Sequence, residues 1–367
     1  MTATTLWSLL AAAAAGSFAL SLLLTGLARH SAARIGFVDR PGGHKTHRAP
    51  TPYGGGTAML LATWLPLALA MVAALLAPEE WVRQRFGETA RAYVGGLRER
   101  SVPAALILVG ALALHVLGLI DDLRPLGPWP KLAAIAAVAL LVSGIGGVRV
   151  AELLDYRVSI LLTAAWIVII TNAFNFLDNM DGLSAGVAAI CAAFFAVCGV
   201  MAGQVLVPAL AAVFVGATAG FLVFNFPPAR IFMGDAGSLL LGYMLAIISV
   251  LTTYYESGRG VPPYALAIPL VVLAVPLYDF VSVVLIRLRE GRNPLHGDQR
   301  HFSHRLLERG LSRRLAVLTI YLAAATTGLA ATLLPQAGLR ETLTILGLVL
   351  LVLLIVAILE APLRKHA

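Results

Sequence analysis

Eleven long apolar runs follow one another along the chain, at residues 4–26, 57–77, 103–120, 132–148, 158–174, 183–202, 205–224, 237–255, 263–286, 315–334 and 341–360. Each is close to the roughly 20 residues that cross a bilayer as a helix. One such run could be a buried helix of a soluble protein. Eleven in succession predict an all-α polytopic membrane protein with about 11 transmembrane helices. The first run has full span length and no basic flank before it, so it reads as a span rather than a signal peptide. No fixed-period repeat or low-complexity linker interrupts the pattern, so residues 1–367 read as a single integral membrane domain.

The polar positions between the runs are not evenly shared. Eleven spans place the two termini on opposite faces. The loops on one face (27–56, 121–131, 175–182, 225–236, 287–314 and the C-terminal tail) hold 18 Lys and Arg, and the other loops hold 9, which sums to the 27 in the chain. The positive-inside rule makes the first set cytoplasmic, with the N-terminus outside and the C-terminus inside. Asp121, Asp122, Asp178, Asp181, Asp235 and Asp298 all fall on that face, as do His44, His47, His296, His301 and His304. The outer acids Glu79, Glu80, Glu88 and Glu99 alternate with arginines and read as a solvated surface.

Composition changes the picture little. The chain is 59% hydrophobic and 13% charged, against about 25% charged in soluble domains. A net charge of +8 and a pI of 9.9 suit a protein that borders anionic lipid and handles anionic substrates. The basic residues lie in short loops between spans, which argues against nucleic acid. Cys191 and Cys198 stand seven apart on one helix, too distant to bridge, so no cysteine-based metal site is expected.

Five polar stretches carry candidate chemistry. In HVLGLIDDLRPLGPWPK, 115–131, Asp121 and Asp122 end a span side by side. Two like charges about 4 Å apart cost roughly 4 kcal/mol at an effective dielectric near 20, so a cation, a metal or a shared proton should relieve them. Lys131 is a candidate partner, or a grip for phosphate. In NAFNFLDNMDGL, 172–183, Asn172, Asn175, Asp178 and Asp181 are spaced by three. On a helix that spacing puts Asn175, Asp178 and Asp181 on one face. In NFPPARIFMGDAGS, 225–238, Asp235 precedes a span whose first N–H groups favour an anion. It can cap that helix or hold Mg²⁺. In RNPLHGDQRHFSHRL, 292–306, His301 and His304 with Arg300 and Arg305 suit phosphate better than zinc. In VDRPGGHKTHRAPTPYGGGTAM, 38–59, His44, Lys45 and His47 form a basic loop for a polyanion. Asp279, inside the ninth span, reads either as functional or as a hydrogen-bonded anchor.

Acids for a divalent cation beside basic groups for phosphates, all bordering lipid, suggest phosphoryl transfer between a soluble nucleotide-linked donor and a lipid acceptor. At this point the five stretches, in this order from about residue 36 to 310, resemble the polyprenyl-phosphate N-acetylhexosamine-1-phosphate transferases of glycosyltransferase family 4. The resemblance implies transfer of a sugar-1-phosphate from a UDP-sugar to a polyprenyl phosphate such as undecaprenyl phosphate. The reaction would release UMP at the cytoplasmic face of the inner membrane, the first membrane step of a cell-envelope polysaccharide. It implies roles for Asp121 and Asp122 in handling or deprotonating the lipid phosphate. Asp235 would be a Mg²⁺ (or Mn²⁺) ligand, with Asn175 near metal and pyrophosphate. Asp178 and Asp181 would line the nucleotide site, and His301 and His304 would form the histidine loop. A homodimer is implied at the same level. HFSHRL departs from the family in having Ser303 where many members carry a histidine. It also looks unlike the phospho-N-acetylmuramoyl-pentapeptide transferase branch, so UDP-N-acetylglucosamine is the favoured donor and the pentapeptide branch the alternative. A lipid-linked substrate transporter is the competing class, for which charged midplane helices and an inverted repeat would be expected. The route stays open between a covalent phosphosugar enzyme and direct attack by the lipid phosphate.

Overall fold

The computed structural model describes residues 2–39, 50–150, 154–252, 263–293 and 301–360. Among them, helix α1 (Ala3–Ile35) starts at a Thr2 side chain that accepts the Thr5 N–H, and a two-strand hairpin follows, β1 (Val38–Asp39) paired antiparallel with β2 (Thr51–Pro52). Then come α2 (Gly55–Leu76), α3 (Glu79–Phe86), α4 (Glu88–Glu99), α5 (Ser101–Leu123), α6 (Pro128–Gly144), α7 (Tyr156–Leu177), α8 (Leu183–Met201), α9 (Leu206–Asn225) and α10 (Gly234–Leu251). The last are α11 (Ile268–Val272), α12 (Ala274–Arg289), α13 (Phe302–Glu308), α14 (Arg313–Ala331) and α15 (Leu339–Glu360). The result is a multi-pass helical bundle, as the apolar runs require.

Each of the eleven runs contains helix among its described residues, but they are not equal. Nine of the described helices are long and apolar enough to cross a membrane. The run at 132–148 is the 17-residue α6, shorter than those nine. The run at 263–286 is not one straight span: α11 and α12 meet at 70°. The physical reason is Pro276, which has no N–H to bond the Val272 carbonyl and breaks the ladder at that turn. The stretch at 78–102, expected as a loop, forms α3 and α4. Glu79 pairs with Arg98 at 3.1 Å and Arg91 at 3.3 Å, and Arg98 Nε also donates to the Ala74 carbonyl at 2.7 Å, satisfying the end of α2.

Helix α10 is the centre of the bundle: 78% of its apolar window is buried, against 17% for α15 at the periphery. Lipid tails are as apolar as leucine, so close approach of backbones decides helix packing here. Small residues allow it. A Cβ at Gly56 would lie 2.5 Å from the Gly237 nitrogen, and one at Gly118 2.3 Å from the Ala236 nitrogen. One at Gly242 would lie 2.6 Å from the Thr171 Cα. These seats clamp α2, α5 and α7 around α10 and bring the ends of those helices to one place. Cys191 and Cys198 are buried and free.

Candidate active site

The first turn of α10 organises the site. Gly234 adopts φ +66°, where a side chain is strained, and turns the chain into the helix. The N–H groups of Asp235 and Ala236 donate to Asp122 Oδ1 and Oδ2 at 2.7 and 3.2 Å. The anion expected at this helix terminus is therefore the protein's own carboxylate. Behind it, His115 Nδ1 donates to the Ala236 carbonyl at 3.0 Å, and its Nε2 lies 3.2 Å from Thr57 Oγ1.

Lys131 relieves the neighbouring charge. Its ammonium donates to Asp121 Oδ2 at 3.1 Å and to Asp235 Oδ2 at 2.7 Å. Asp121 also accepts the Leu126 N–H at 2.6 Å. The adjacent aspartates of α5 thus face different partners, one a cation and one a helix terminus. Asp235 keeps 27% of its side chain exposed, enough for a ligand to reach it.

Helix α7 delivers amide and acid to the same turn, though not in the expected manner. It ends at Leu177, so Asn175 lies in the helix, Asp178 at its cap and Asp181 in the turn beyond. The spacing of three therefore does not make one helical face. Asn175 Nδ2 donates to Ser238 Oγ at 2.9 Å, one turn along α10 from Asp235. Asp178 is half-buried and accepts no side-chain hydrogen bond from a described residue. Burial, and then the charges of Asp235, Asp122 and Asp181, push its carboxyl well above the usual carboxylate range. Asp181 is drawn off to the Ala229 N–H at 3.0 Å, and Asn172 bonds back to the Val168 carbonyl at 2.8 Å.

Asp121, Asp122, Lys131, Asn175, Asp178 and Asp235 are thus brought together. The carboxylates and the Asn175 amide offer hard oxygens, but no three His, Cys, Asp or Glu side chains among the described residues converge enough to hold a metal ion by themselves. The histidine segment packs at the same end. Ser303 Oγ donates to Asn179 Oδ1, and His304 bonds the Asn179 carbonyl. Arg305, expected on phosphate, is instead bonded to Glu360 at 2.9 Å and Ser282 at 3.1 Å, since it lies on the side of α13 that faces α12 and α15. His44, Lys45, His47, His296, Asp298 and Arg300 lie outside the described residues.

Tyr53 stands at the same end of the bundle, and its place in the stretch 38–59 is its one signal in the sequence. Its ring sits 5.3 Å from Phe37 and 6.2 Å from Phe232. Burial, followed by Asp39, Asp122 and Asp235, pushes its phenol above the ordinary value. Ser238 and Asn179 are marked in the sequence in the same way, by lying within 225–238 and 172–183.

A family model described as glycosyl transferase family 4 matches residues 104–253. A probable undecaprenyl-phosphate N-acetylglucosaminyl 1-phosphate transferase of Bacillus subtilis is 32% identical over 348 residues, covering 92% of this chain and 88% of that protein. The chain belongs to glycosyl transferase family 4. Another family relative, a decaprenyl-phosphate N-acetylglucosaminephosphotransferase of Mycolicibacterium smegmatis, is 35% identical over 91% of this chain and 84% of its own length. The undecaprenyl-phosphate alpha-N-acetylglucosaminyl 1-phosphate transferase of Escherichia coli K12 is 26% identical over 84% and 79% respectively. The family match spans α5 to α10, the helices that carry Asp121, Asp122, Lys131, Asn175, Asp178 and Asp235.

His304 gives a pH-dependent expectation for the folded state. Burial, and then the charge of His301, hold its imidazole below the ordinary value near 6.5. The unfolded chain therefore binds this proton more readily, and stability falls as pH drops below about 6.5. The melting midpoint of the unmodified protein should fall more steeply between about pH 7.5 and about pH 5.5 than that of His304→Gln. Parallel slopes would remove His304 from this account.

Proposed function

We propose that the protein transfers N-acetylglucosamine-1-phosphate from UDP-N-acetylglucosamine to a polyprenyl phosphate, releasing UMP at the cytoplasmic face of the inner membrane. One observation carries this reading. Asp121, Asp122, Asp178, Asp235 and Lys131 meet at one end of an apolar helical bundle, in a chain whose relatives are named for transfer of that sugar phosphate. The excess of Lys and Arg in loops at the same end supports the cytoplasmic orientation. The relatives' names favour N-acetylglucosamine over the pentapeptide branch. A transporter would want its charges near the bilayer midplane, and these lie at helix ends.

The oxygens of Asp235, Asp178 and Asn175 suit Mg²⁺ or Mn²⁺, because Mg²⁺ commonly takes one or two protein carboxylates plus substrate phosphates. When bound, such an ion supplies neutralisation of the pyrophosphate charge as UMP leaves. The chain's own residues do the positioning. Asp122 fixes the start of α10 and so the place of Asp235. Lys131 bridges Asp121 and Asp235 and offers an ammonium to phosphate. Asp121, Asp122 and Asp235 already accept hydrogen bonds, which weakens them as nucleophiles, so direct attack by the lipid phosphate is our preferred route.

The test is UMP release by protein reconstituted in lipid with undecaprenyl phosphate, screened over several UDP-sugars with and without Mg²⁺. Release from UDP-N-acetylglucosamine that needs both lipid phosphate and Mg²⁺ is the expected outcome. No turnover with any UDP-sugar would sink the reading.

A further inference from the structure

Asp279 of α12 is fully buried and stands apart from the carboxylates around Lys131. Its Oδ2 lies 3.0 Å from His301 Nδ1, and its Oδ1 accepts the Phe302 N–H at 2.8 Å. One carboxylate thus holds the first turn of α13 and the ring of the residue before it. The bond to Oδ2 places a proton on Nδ1, because the partner of one ring nitrogen decides the tautomer. The ring has little room to turn. Phe176 meets it edge-on at 6.0 Å, and Phe176 is backed by Phe280 at 5.3 Å and by the Arg287 guanidinium 5.0 Å above its face. His301 Nε2 has no hydrogen-bond partner among the described residues. Phe176 follows Asn175 in the last turn of α7, so this ring lies at the end of the bundle where Asn175 and Asp178 stand.

Capping alone does not account for the pair. A serine or threonine at position 301 would cap α13 without help from another helix. A buried acid in a membrane helix is costly to keep. The imidazole adds one thing that a cap lacks, a second nitrogen at a fixed orientation.

We propose that Asp279 is a positioning residue for the transfer reaction, holding the His301 proton on Nδ1 and turning the unprotonated Nε2 to accept the proton of a protonated phosphate oxygen of the bound lipid substrate. This rests on the transferase reading above. Long-range ¹H–¹⁵N correlations on histidine-labelled protein in lipid nanodiscs, assigned with His301→Gln, should place the His301 proton on Nδ1. Asp279→Asn should move it to Nε2, because the new amide donates to Nδ1. The same variant should lose about 10–100-fold in kcat/KM, as happens when the carboxylate behind a functional histidine is removed. In the His301→Gln background it should cost nothing further.

A proton on Nε2 in the unmodified protein overturns the proposal. So does unchanged kcat/KM in Asp279→Asn, or a loss that multiplies with that of His301→Gln. If Asp279→Asn does not fold, the spectrum of the unmodified protein decides. Absence of turnover in the unmodified protein counts against the transferase reading alone, since the position of the proton is measured without substrate.

Discussion

Asp235→Asn is expected to lower UMP release by about 10²–10³-fold, the loss that follows removal of one preorganised electrostatic group from a site where charge develops. The change is nearly isosteric, and the fold should survive it. Asp122 is bonded to the backbone N–H of residue 235, not to its side chain, so the start of α10 keeps its anchor. Lys131 keeps Asp121 as a partner at 3.1 Å. What is lost is a partly exposed charge beside Asp178 and Asn175. The variant should melt near the unmodified protein and need more Mg²⁺ for its residual turnover. Steady-state UMP release over a Mg²⁺ titration, with a melting curve on the same sample, checks both. Full turnover would take Asp235 out of the mechanism.

Gly118→Ala is expected to cost both stability and turnover, although Gly118 touches no substrate. Its Cβ would lie 2.3 Å from the Ala236 nitrogen and 2.4 Å from the Asp235 carbonyl carbon. Both are backbone atoms, so no side-chain rotation relieves the clash and α5 must move away from α10. Such overpacking costs typically about 1–3 kcal/mol. Asp122 lies one turn further along α5 on the same face, so the shift stretches its bonds to the Asp235 and Ala236 N–H groups. Turnover should therefore fall well beyond what the stability loss explains at a temperature where the variant remains folded. Gly347→Ala in α15, where a Cβ meets nothing within 4 Å, is the matched control and should leave both measurements unchanged. Equal behaviour of the two variants would mean that α5 and α10 are not packed this closely.

Local sequence could announce the site but not its pairings. Asp121, Asp122 and Asp235 stood out because charge at a membrane-helix end is costly and therefore informative. Lys131 was a candidate partner for the aspartate pair, and the fold gives it Asp121 of that pair together with Asp235, 104 positions away from Lys131 in sequence. The order of NAFNFLDNMDGL suggested one polar helical face. The helix ends at Leu177, and Asp181 turns to the Ala229 amide instead. Arg305 looked like a phosphate grip among other basic residues, yet α15 returns Glu360 to it. A charge pattern read along one segment cannot foresee a partner 55 residues away.

Hydrophobic patterning by itself determined the membrane class and the helical architecture. Those follow from span length and helix periodicity, which are local properties of a chain in lipid. Tertiary structure alone decided which carboxylate caps α10, which one shares Lys131, and that Asp279 holds His301. Those choices depend on how closely the backbones at Gly56, Gly118 and Gly242 let neighbouring helices approach. Distances between helices are set by packing, and the one-dimensional pattern does not contain them.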